Sequence, residues 1–73
     1  MNVLYDAIWR LADSRANYRE EFEKTKDINV VYKAWFEAAE DLASQYYNEG
    51  LSETHSEIRK IINEQKRITN YVY

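Results

Sequence analysis

The 73-residue chain has no cysteine, no proline, one glycine and one histidine. Without cysteine there is neither a disulfide framework nor a thiolate metal site, so a stapled secreted mini-protein and a zinc finger are both excluded, and the expected location is cytoplasmic. A single glycine cannot build a glycine-rich phosphate loop. No run approaches the ~18 apolar residues of a membrane span, and Asp6 lies where a signal peptide needs an apolar stretch, so neither membrane insertion nor signal-peptide secretion is expected. Basic excess is also missing: 10 Lys and Arg stand against 13 Asp and Glu, a net charge of −3. That balance offers no general attraction to nucleic acid or anionic lipid, and neither is expected as a partner.

What is present is apolar and aromatic surface, with 45% hydrophobic and 15% aromatic residues. This is enough to fold, in a length that holds one domain over residues 1–73. Ile, Asn, Tyr and Lys supply 24 residues, all with A/T-rich codons, while Leu appears only four times. Such usage suggests a low-GC source, a phage or a mobile element.

Apolar residues recur at spacings of three and four throughout, which predicts an all-α chain: a small three-helix bundle, or a helical hairpin plus a third helix, with short turns. The first helix is expected over about 2–24, on a stripe of Leu4, Ile8, Leu11, Tyr18 and Phe22 broadened by Tyr5, Trp9, Ala12 and Ala16. Polar Thr25–Asn29 marks a turn, with Asp27 as cap of a second helix over about 28–49. Its two seams, Ile28, Val31, Trp35, Ala38, Leu42 and Tyr46 beside Tyr32, Phe36, Ala39, Ala43 and Tyr47, are wider than a stripe packed on one neighbour, so this helix is expected at the centre. Gly50 then stops it, Leu51 packs back on Tyr46, and Ser52 or Thr54 caps a third helix over about 54–70, with Thr54 to Glu57 as a capping box. Its stripe is Ile58, Ile61, Ile62, Gln65, Ile68 and Val72.

No catalytic, cofactor-binding or metal-binding set stands out, and the chain is read as a non-enzyme. His55 sits among residues wanted for capping, and Glu37, Glu40 and Asp41 lack the Glu-x-x-His partners of a bundle metal site. Gln45–Ile62, with Gly50-Leu51-Ser52 between helices, weakly resembles a helix-turn-helix. Glu53 and Glu57 would repel phosphates there, although Arg59, Lys60, Lys66 and Arg67 follow.

Two features break the pattern. Arg15 and Arg19 fall on the apolar face of the first helix, either pairing with Glu37 or Asp41 or lying in an interface, and there are seven tyrosines in a small chain. Arg and Tyr are enriched in protein interfaces. The candidate partner-binding set is therefore Arg15, Arg19, Tyr32, Phe36, Ala39, Ala43 and Tyr47, the alanines allowing another helix to approach closely. Below ~70 to 80 residues one core rarely supplies more than ~3 to 5 kcal/mol, and a partner would add burial. The expected function is a protein-binding module, a small inhibitor or regulator that occludes another protein. The alternatives are a self-assembling homodimer and a helix-turn-helix repressor.

Overall fold

The computed structural model describes residues 2–15 and 17–71. They form four helices with short connections: α1 (Val3–Arg15), α2 (Tyr18–Thr25), α3 (Ile28–Asn48) and α4 (Ser52–Thr69). No strand occurs among the described residues, and the all-α bundle expected from the spacing is the fold. The molecule measures 40 × 25 × 23 Å. Its longest element is α3, whose 21 residues span about 31 Å at 1.5 Å per residue.

The first helix expected over 2–24 is two helices. Asn2 opens α1, its side-chain oxygen accepting the Leu4 and Tyr5 N–H groups at 3.0 and 3.3 Å. Ser14 Oγ donates to the Leu11 carbonyl at 2.9 Å, a local bond that competes with regular helix near its end. Arg15, the residue that interrupts the apolar stripe, is the last residue of α1. Across the joint, the Asp13 carboxylate accepts the Tyr18 hydroxyl and the Arg19 guanidinium, the latter at 3.1 to 3.2 Å. In one continuous helix, residues five and six apart would point about 140° and 120° away from one another around the axis. The shared carboxylate therefore requires the break. Ala16 lies outside the described residues.

The next connection follows the sequence reading. Lys26 takes the left-handed conformation (φ 55°) and its N–H closes on the Phe22 carbonyl, while Asp27 accepts the Asn29 N–H at 3.0 Å and starts α3. Between α3 and α4 the chain closes a Schellman motif. Gly50 (φ 77°) donates to the Tyr47 carbonyl at 3.0 Å and Leu51 donates to that of Tyr46 at 2.9 Å. This closure delivers the chain straight into α4. The third helix accordingly starts at Ser52 and not at 54, Leu51 holds the N-cap position without a side-chain cap bond, and the Thr54 to Glu57 capping box does not form because Thr54 is already helical. Val72 of the predicted stripe lies outside the described residues.

As expected, α3 is central and packs against α1, α2 and α4. α4 returns antiparallel along it, from His55 beside Ala43, through Arg59 on Glu40, to Tyr71 against Tyr32 and Phe36. α1 crosses α3 near its middle, with Tyr5 against Trp35 and Arg15 on Asp41. The core is Ile8, Ala12, Tyr18, Trp35, Phe36, Ala38, Ala39, Ala43, Ile58 and Ile62. Ile8, Ala39, Ile58 and Ile62 are all fully buried there. Small residues along α3 let its neighbours approach, and the aliphatic residues of α1 and α4 fill the space they leave.

Candidate functional site

Only part of the predicted contact face is open to a partner. Phe36, Ala39 and Ala43 are at most 1% exposed and belong to the core. The close approach that the two alanines permit is used inside the chain. Tyr32 is half-buried, edge-on to Tyr71 at 5.9 Å. Arg15 pairs with Asp41, one of the two acids expected for it, while Arg19 pairs instead with Asp13 across the α1–α2 joint. Tyr47 alone of the five aromatic and alanine positions stays exposed, at 65%.

Most of the tyrosine excess is absorbed by packing. Tyr18 is buried, and Tyr5, Tyr32, Tyr46 and Tyr71 are half-buried. Tyr5, Trp35, Phe36 and Tyr71 form a continuous aromatic row with successive centroids 5.6, 5.0 and 5.3 Å apart. Beside this row is a cavity of about 50 Å³ lined by Tyr5, Trp9, Tyr32, Trp35, Phe36, Gln65 and Thr69. It has room for about one or two waters and is far below the ~300 Å³ of an ordinary ligand site. The buried Trp35 Nε1 has no hydrogen-bond partner among the described residues.

Two surface features remain. One is a groove of about 360 Å³ between α1, α2 and α3, walled by Trp9, Tyr18, Phe22 and Val31 and edged by Arg19 and Glu23. The Asp13, Tyr18 and Arg19 cluster braces one side of it. The Tyr18 hydroxyl bond, followed by Arg19, holds the Asp13 carboxyl below the usual carboxylate range, although partial desolvation works the other way. Burial pushes the Tyr18 phenol above its ordinary value, and the adjacent Asp13 carboxylate adds to the shift. The cluster is thus carboxylate plus neutral phenol plus guanidinium at neutral pH.

The other feature is the tip where α3 meets α4. Tyr47 (65% exposed) and Leu51 (49%) stand out on it, and Ser44, Tyr47, Asn48 and His55 line a shallow open hollow beside them. The Leu51 side chain, expected to pack back on Tyr46, is half in solvent, while its N–H makes the predicted closure. His55 Nδ1 donates to the Ala43 carbonyl at 2.9 Å, since a carbonyl can only accept. The imidazole also lies 5.2 Å from the Tyr47 ring. His55, read as part of a capping box, instead pins the tip across the two helices.

The acidic residues of α3 are engaged in ion pairs, Glu40 with Arg59 at 2.8 Å, Asp41 with Arg15, and Glu37 with Lys33 at 3.9 Å. Among the described residues no three His, Asp or Glu side chains converge on a metal-sized site. Nor is any helix among them long and apolar enough to cross a membrane. α3 and α4 pack along their length, whereas helix-turn-helix pairs cross at about 90–120°. Sequence reading missed Leu51 and His55 as surface features. The signal for them was Gly50, which marks an exposed turn directly before both residues. Comparisons with protein-family models, with curated proteins and with solved structures gave no match to this chain.

Proposed function

We propose that this chain is a non-catalytic helical module that works by binding another protein, as a small inhibitor or regulator that covers part of its partner. The observation that supports this reading is the α3–α4 tip. Tyr47 is the one described tyrosine that the fold leaves exposed, beside Leu51, on a turn fixed by backbone closure and by the His55 to Ala43 bond. An aromatic anchor on a rigid support loses little entropy on binding, which is the property of interface hot spots.

The test is differential capture from the cells that make the protein. Tagged wild type and a Tyr47→Asp, Leu51→Asp variant are compared after circular dichroism shows equal helix content. The expected outcome is a protein partner retained by the wild type and reduced at least ~tenfold by the variant, the size of a lost hot spot of about 1.4 kcal/mol or more. Retention independent of both residues would remove the tip as the contact surface.

A further inference from the structure

Gln65 is the polar residue in the otherwise aliphatic stripe of α4, which runs through Ile58, Ile61, Ile62 and Ile68. It is half-buried, and its side-chain amide takes part in no hydrogen bond among the described residues. Trp35 on α3 has the complementary fault. It is 4% exposed, and its buried Nε1–H has no acceptor among the described residues. A donor in that position has lost its hydration without a replacement, which native proteins rarely leave uncorrected. Both residues line the same cavity of about 50 Å³, to which α1 contributes Tyr5 and Trp9. Thr69, one turn beyond Gln65, is also in its wall. The Thr69 hydroxyl donates to the Gln65 carbonyl at 2.7 Å and accepts the Tyr71 N–H at 3.3 Å, which leaves it one lone pair.

From these three neighbours we infer that the cavity is an internal water site, in which one water accepts the Trp35 Nε1–H and donates to Gln65 Oε1 and to the Thr69 hydroxyl oxygen. Three bonds is the usual complement of a buried water, and the space exceeds the ~10–15 Å³ that one water needs. Aromatic walls alone would leave a cavity of this size dry, and the donor and two acceptors are what make it wet. The water ties α3 to α4 beside the aromatic row of Tyr5, Trp35, Phe36 and Tyr71. It also accounts for a polar side chain in the α4 stripe, since Gln65→Leu would continue the stripe and leave the indole donor unpaired. The site is separate from the α3–α4 tip, because Gln65 lies about 15 Å along α4 from His55 at 1.5 Å per residue.

A high-resolution crystal structure of the full chain is expected to show one water within ~3.2 Å of both Trp35 Nε1 and the Gln65 side chain. In solution, ¹⁵N-labelled protein should give a cross-relaxation peak between the Trp35 indole proton and water, with the sign of a bound molecule and not that of chemical exchange. Gln65→Met keeps the length of the side chain and removes the acceptor. With helix content equal by circular dichroism, it should abolish that peak and move the Trp35 indole resonance, while the amide resonances of Tyr47, Leu51 and His55 stay in place. Should the variant lose helix, the wild-type density and the wild-type peak decide the site by themselves. A direct bond from Trp35 Nε1 to Gln65 with no water between them, a cavity with neither water density nor a water peak, or a water that survives Gln65→Met in both measurements would each overturn the assignment.

Discussion

The three side chains at the α1–α2 joint tie pH to stability with opposite signs. Asp13 has its carboxyl held below the usual range, chiefly by the Tyr18 hydroxyl. A depressed acid stabilises fully above its unfolded pKa of about 3.9 and loses that contribution as pH falls through the lower folded value. Tyr18 is raised by burial and by Asp13. Its contribution is fully present below the unfolded pKa of about 10 and is lost as pH rises through the folded one, where a phenolate would form beside a carboxylate. Tyr18→Phe is expected to cost about 1 kcal/mol in urea unfolding at pH 7, the net worth of one hydrogen bond. It should also remove the alkaline loss of stability, while Asp13→Asn removes its share of the acid loss. Variant profiles that keep the wild-type slope from pH 7 down to pH 3 and up to pH 11 would show that the joint is not coupled to folding.

At the scale of helices, the element types and two of the three connections were legible, and the break between Arg15 and Tyr18 was not. Periodicity reports which face is buried, and Leu4, Ile8, Leu11, Tyr18 and Phe22 keep a consistent phase on paper. What periodicity cannot report is a bond such as that from Tyr18 to Asp13, which only a broken helix permits. Arg15 in the stripe and the seven-residue gap from Leu11 to Tyr18 were the available signs. The start of α4 was misplaced for a related reason, since Ser52, Thr54 and Glu57 favour capping, but the Schellman closure of Gly50 and Leu51 already fixes where helix resumes. The candidate contact face failed at Phe36, Ala39 and Ala43 because a wide apolar surface on a central helix serves three intramolecular neighbours. Ala39→Leu tests that correction. With Ala39 fully buried, the added side chain should destabilise the fold by about 1 to 3 kcal/mol through overpacking, seen as a lower urea midpoint. An unchanged midpoint would mean that the position has room, as an outer contact face would.

For the whole molecule, size decides how well one small core stands alone. Its fully buried large side chains are Phe36, Ile8, Ile58 and Ile62, a small set. A domain of this length rarely exceeds ~3 to 5 kcal/mol without a staple, so association would be favoured if the surface allowed it. The surface left open is poorly suited to pairing with itself. Glu49 lies between Tyr47 and Leu51 in the chain and the molecule carries a net charge of −3, so a symmetric dimer through that patch would bring like charges together. Light scattering across a wide concentration range in low salt is therefore expected to give the 8.8 kDa monomer. Salt should reveal any residual tendency, because screening at 1 M shortens the reach of those charges to about 3 Å. A dimer that appears only at high salt, and vanishes in Tyr47→Asp, would mean that charge repulsion keeps an otherwise self-complementary tip monomeric. A dimer already stable in low salt would mean that self-association uses another surface, with the Trp9, Tyr18, Phe22 and Val31 groove as the first place to look, and would return the homodimer reading to the front.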